Sequence, residues 1–169
     1  MTPAGRTVIL ALLLHAALPA AALAQQQPPP AAAARKDACF RPKEVEAEAQ
    51  VRTGIQLREI LRRCAEIYPD GQKALQDWYA FDNENAEQLR AAVDQRRQAL
   101  NRIYPTRTRV TQWETDSAVA TMKSVQVNDG VCQSTYDVID RLKKEKWKAF
   151  VYYSGLQQKL LAYEIPICR

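Results

Sequence analysis

From residue 43 to residue 67, apolar positions recur at intervals of three and four: Val51, Ile55, Leu57, Ile60, Leu61, Cys64 and Ile67 or Tyr68 fall on one side of a helical projection. The intervening residues are mostly Ala, Glu, Arg and Gln, which lose little freedom in a helix, and Pro42 suits a first turn. The pattern predicts a helix from Lys43 to Ile67. Pro69 disfavours helical geometry in the residue before it, so the helix ends there, and Asp70-Gly71 is expected to form a turn.

A second stripe, through Leu75, Trp78, Leu89, Val93, Leu100 and Ile103, predicts a helix from Gln72 to Ile103, stopped by Pro105. A third is expected from Arg109 to Val127 through Val110, Trp113, Ala120 and Val125, ending at a turn in Asn128-Asp129-Gly130. The fourth, Val131 to Tyr163, carries Val138, Ile139, Leu142, Ala149, Phe150, Tyr153, Leu156 and Leu160, with Gly155 as a point where it can bend and Pro166 beyond its end. No segment alternates as a half-buried strand would. Four long helices on short turns imply an all-α chain, an up-and-down four-helix bundle. The triplet Ile-Tyr-Pro occurs at 67–69 and again at 103–105. These sites fall at successive turns, so the repeat reads as helix punctuation and not as a duplicated site.

The chain opens MTPAGRTVILALLLHAALPAAALAQ, one arginine followed by an apolar run and Ala22-Leu23-Ala24, the layout of a cleavable export signal over residues 1–24. Residues 25–37, beginning QQQPPPAAAA, lack hydrophobic periodicity and read as a disordered Pro/Ala-rich linker before a single helical domain at 38–169. No later segment is apolar enough to cross a bilayer, and the residue after Ala24 is glutamine where a lipid-anchored protein would carry cysteine. The expected location is the periplasm. Loss of Arg6 with the signal lowers the formal charge from +5 (24 minus 19) to +4 (23 minus 19), a mildly basic balance that does not point to nucleic acid in that compartment.

Cys39, Cys64, Cys132 and Cys168 remain after the signal, an even number that in an oxidising compartment implies two disulfides. Cys39 and Cys64 bracket the first helix and stand about 37 Å apart at 1.5 Å per residue, against the ~5.5 Å between α-carbons that a disulfide requires. Cys132 and Cys168 bracket the fourth helix in the same way. An up-and-down bundle brings Cys64 to Cys132 at one end and Cys39 to Cys168 at the other, so those two pairings are expected.

The one histidine, His15, lies in the signal, and Met122 is the single methionine beyond Met1. Without imidazole the chain cannot supply the usual base of serine and cysteine hydrolases or the Glu-x-x-His of di-iron bundles, and it has no Cys-x-x-Cys-His for covalent haem. The expectation is no cofactor, no metal and no catalytic residue. Two constellations merit weight. KKEKWKAF places Lys143, Lys144, Trp147 and Lys148 together, and helical spacing aligns Lys144 with Lys148, a face suited to another protein or an anionic envelope component, though helix exteriors are commonly charged. The spacing that passes through Leu75 and Trp78 continues to Asp82 and Asn85, with Arg58 at a comparable height on the first helix, a candidate internal polar site. The expected function is therefore a periplasmic, non-enzymatic helical module that binds through the lysine and tryptophan face. Its alternatives are a small-ligand carrier or a histidine-free enzyme acting by electrostatic catalysis.

Overall fold

A computed structural model describes residues 38–105, 119 and 122–168; the expected signal and linker lie outside these. The chain is all-α, and among the described residues five helices are seen: α1 (Pro42–Ile67), α2 (Pro69–Glu84), α3 (Ala86–Ile103), α4 (Asp129–Glu145) and α5 (Trp147–Leu161). The only strand-like pairing among them is an isolated bridge between Phe40 and Ile167. Of the expected third helix, Arg109 to Val127, only its last part is described, where the chain leaves helical geometry after Ser124. There the Arg63 guanidinium donates to the Met122 carbonyl at 2.7 Å, tying the segment to α1.

Both expected disulfides are formed, Cys39–Cys168 with α-carbons 5.1 Å apart and Cys64–Cys132 at 5.7 Å. They join each end of α1 to one end of the α4–α5 arm, which therefore runs antiparallel to α1. The α2–α3 arm is antiparallel to α1 as well, since it follows through a one-residue connection at Tyr68. α1 is the central rod and packs against all four other helices. The core divides into two clusters. One gathers Leu57, Leu61, Trp78, Phe81, Ile139, Leu142 and Phe150 beside the Cys64–Cys132 end. The other gathers Phe40, Val45, Ala49, Leu100, Ile103 and Leu161 beside the Cys39–Cys168 end.

Helix ends depart from the sequence expectation in an instructive way. Pro69 does not merely stop α1; it occupies the first turn of α2, where its missing N–H costs nothing. Asp70 and Gly71 are thus helical. A β-carbon on Gly71 would stand 2.6 Å from the Cys64 carbonyl carbon and the Ala65 nitrogen, so the glycine is there because α2 begins directly against the backbone of α1. Asn128 caps α4 by accepting from the Val131 N–H at 3.0 Å, and Asp129 and Gly130 fall inside the helix with no positive φ.

Two helices expected to be continuous are broken. The Gln72–Ile103 helix breaks at Asn85, whose side-chain amide and backbone N–H both donate to the Phe81 carbonyl, at 2.8 and 3.0 Å. The Val131–Tyr163 helix breaks at Lys146, which adopts φ 55° and ψ −138°, a conformation that L-residues rarely tolerate. The breaks are neighbours, bridged by Lys146 Nζ and Glu84 Oε2 at 3.0 Å. Each resets the helical phase. Leu156 and Leu160, expected inside, are exposed, and Ser154 and Leu161 are buried in their stead; Val93 is exposed, and Ala92 and Arg96 point inward.

Gly71→Ala should destabilise the fold by about 1–3 kcal/mol or more, because the clash is with backbone that cannot rotate away; chemical denaturation would show it as a lower midpoint with an unchanged slope. Lys146→Gly should raise the unfolding free energy by about 1 kcal/mol, relief of the backbone strain exceeding the glycine's extra freedom in the unfolded chain and the loss of a surface ion pair. Unfolding titrations at matched pH would test the sign.

Candidate functional site

The break at Lys146 divides the expected binding face. Lys143, in the last turn of α4, is held by Asp77 of α2 at 2.8 Å, and that carboxylate raises the lysine's pKa. Trp147, first residue of α5, is half-buried and turned into the core, stacked on Phe81 with ring centroids 6.4 Å apart and tilted against Phe150 at 5.0 Å. Lys144 and Lys148 remain exposed on either side of the break. Contrary to the sequence expectation, Lys143, Lys144, Trp147 and Lys148 do not share one face, because the helix is interrupted at Lys146. Nearby, Arg141 lies 4.8 Å from the Tyr152 ring centroid. A hydrogen bond between Arg141 and Glu145 at 2.8 Å raises the arginine's pKa and holds the half-buried Glu145 below the usual carboxylate range.

The internal polar site is corrected too. Arg58 is exposed and its nearest acid is its neighbour Glu59, at 3.7 Å. Leu57 and Leu61 take the inward stripe of α1 and leave Arg58 about one residue out of phase. Asp82 is half-buried, and among the described residues no hydrogen bond or ion pair joins it to Arg58. Asn85 is buried, but its side chain closes the end of α2.

A different polar group occupies the interior. Glu48 and Arg96 are 1 % and 2 % exposed, and Arg96 Nε donates to Glu48 Oε2 at 2.5 Å. The other carboxylate oxygen accepts from Arg52 Nε at 2.7 Å, and Arg52 Nη1 reaches Glu164 Oε2 at 2.6 Å. Burial works against the Arg52 charge, yet the bonds to Glu48 and Glu164 leave its pKa raised. The chain of charges connects α3, α1 and the turn after α5. Glu44 makes a parallel contact one turn earlier. It accepts from the Arg41 N–H at 2.7 Å and pairs with Arg102, which also donates to the Cys39 carbonyl at 3.1 Å. Sequence reading passed over Arg96 because it is basic. The spacing of Leu89, Ala92, Arg96, Ala99 and Ile103 nonetheless leaves it no direction but inward.

Glu48 is enclosed and both its oxygens are engaged, so the network has nothing to offer a substrate; it is structural. Among the described residues no group of three or more His, Cys, Asp or Glu could hold a metal ion, and no helix is long and apolar enough to cross a membrane. The surface is more informative. Of the large apolar side chains that stand exposed, Val151, Tyr152, Leu156, Leu160 and Tyr163 belong to α5 and the turn that follows it. Tyr152, Leu156 and Leu160 recur every four residues and form one outward stripe, with Lys148 and Lys159 along its edge. No family model, curated protein or solved structure matches this chain.

Arg96→Met should cost about 3–5 kcal/mol, since it leaves the Glu48 carboxylate buried without that partner. Adding Glu48→Gln should recover part of the loss. Thermal unfolding of the single and double variants would measure it, and strictly additive losses would contradict a direct pair.

Proposed function

We propose that this chain is an exported, periplasmic, non-enzymatic helical module that docks on another protein or on an anionic component of the cell envelope. The observation that carries the reading is the outward face of α5. Tyr152 is 51 % exposed, Leu160 58 % and Tyr163 92 %. Contiguous apolar surface of this kind, rimmed by polar residues, marks interaction sites on otherwise well-packed proteins. Two disulfides fit an extracellular or periplasmic protein.

The chemistry of the face favours the envelope component. Tyrosine and leucine suit a water–hydrocarbon boundary, Lys148 adds a cation at the upper end of the stripe, and Lys144 stands exposed across the break. Lys143 is set aside for this role by its bond to Asp77. A partner protein with an acidic rim and an apolar centre would meet the same complement of groups.

The purified chain should sediment with phosphatidylglycerol-containing vesicles and not with phosphatidylcholine ones, less so at high salt. Lys144→Ala with Lys148→Ala should weaken this by about 2 kcal/mol, at ~1 kcal/mol for each lysine near an anionic surface. Leu156→Asp with Leu160→Asp should abolish it while leaving thermal stability nearly unchanged, because both leucines are exposed. Failure to bind vesicles, together with efficient photocrosslinking from position 152 to an envelope protein, would assign the face to a protein partner. Absence of both would overturn the reading.

A further inference from the structure

A separate feature lies around the corner of α5 from its outward stripe, at the Cys39–Cys168 end. A groove of about 390 Å³ runs between the first turns of α1 and the second half of α5. It is lined by Pro42 and Val45 from α1, by Gly155, Gln158 and the exposed Lys159 from α5, and by Ala162 and Ile167. The volume falls within the roughly 300–1,000 Å³ common to small-molecule sites.

Three properties make this a built groove and not a gap between loosely packed helices. Its Ile167 wall is fixed, because Ile167 sits in a backbone bridge in which the Phe40 N–H donates to the Pro166 carbonyl at 2.7 Å and the Cys168 N–H to the Phe40 carbonyl at 2.9 Å. The Cys39–Cys168 disulfide anchors the same two segments. Its floor is open because residue 155 is glycine: a β-carbon there would meet nothing within 4 Å. Helix geometry does not need that glycine, since α5 continues through it and an alanine would favour the helix by about 1 kcal/mol. Its lining is apolar except for Gln158 and Lys159, and Lys159 forms no ion pair among the described residues.

An apolar trough with one uncommitted cation at its mouth is complementary to a molecule with an apolar body and a single anionic end. We propose that the groove binds a single-chain anionic amphiphile, its alkyl chain over Gly155 between Val45 and Ile167 and its headgroup paired with Lys159. Preformed walls spare the ligand the cost of ordering them. Lys159 borders both this groove and the outward stripe of α5, but Gly155 lines the groove alone, so substitution at Gly155 separates the two sites.

Dodecanoate, titrated below its micelle concentration into the purified, disulfide-bonded chain by calorimetry, should bind saturably at one site. Gly155→Leu should weaken binding by about tenfold or more by filling the trough. It should also keep or raise the melting temperature, which separates a filled groove from a damaged fold. Lys159→Glu should weaken dodecanoate severalfold and leave dodecanol unchanged. A single-chain phosphatidylglycerol, run in parallel, distinguishes a free carboxylate from a lipid headgroup as the source of the charge; Gly155-dependent binding of either supports the site. Absence of saturable binding by both, or Gly155→Leu binding as tightly as the parent, overturns it. Leu156→Ser with Leu160→Ser, which removes the apolar stripe without placing a carboxylate beside Lys159, should leave dodecanoate affinity unchanged, which keeps this test distinct from the vesicle experiment.

Discussion

Fixing both ends of one helix to a single antiparallel arm is the constraint from which the rest of this molecule follows. With Cys64 bound to Cys132 and Cys39 to Cys168, α1 cannot slide, tilt far or leave the bundle. The α2–α3 arm returns along its other side, and α1 becomes an interior helix. A helix enclosed on most sides buries polar positions along with apolar ones. Glu44, Glu48, Gln50, Thr53 and Glu59 of α1 are all buried. Buried carboxylates need partners, and the guanidinium groups of Arg96, Arg52 and Arg102 are where α3 and α1 provide them. The ion-pair layer is thus a consequence of enclosing α1 and not an addition to a finished core.

The same constraint separates what the sequence made legible from what it hid. Helical class and disulfide pairing were both readable because they rest on lengths. Cysteines that bracket a rigid rod of 26 residues cannot meet, whatever the side chains do. The breaks at Asn85 and Lys146 were missed because neither position carries glycine or proline, and the polar gap between Trp78 and Leu89 was read as an internal polar site. Once missed, they displaced several later inferences about faces, although Leu100, Ile103, Ala149 and Phe150 are buried as expected. Leu156 and Leu160 were placed inside, Trp147 was placed at the surface, and Lys144 was aligned with Lys148 across a discontinuity. Gly71 was read as part of a turn, whereas it lies in a helix and its small size serves a close approach between helices. Arg96 shows the limit of sorting residues by polarity, since its position in the stripe said inward while its charge said outward.

α5 gathers the functional possibilities of the molecule because the break at Lys146 frees its orientation from that of α4. One side, with Ala149, Phe150, Ser154 and Leu161, completes the core. The opposite side carries tyrosine and leucine to solvent, and the edge nearest α1 opens over Gly155. A continuous helix in the phase of α4 would have turned those leucines inward. The strained residue between the two helices is therefore what converts the second half of the arm from a packing element into a surface with distinct faces.

The disulfides also have a topological consequence. The Cys39–Cys168 bond spans a sequence separation of 129 residues and closes almost the whole folded domain into a covalent ring, and Cys64–Cys132, with a separation of 68, draws a chord across it. A single protease cut anywhere between Cys39 and Cys168 leaves every piece attached. In a proteolytic environment such a chain can be nicked once and still remain one molecule, its helices held in register until a second cut opens the same covalent ring, including one cut before Cys64 paired with one after Cys132, or the bonds are reduced.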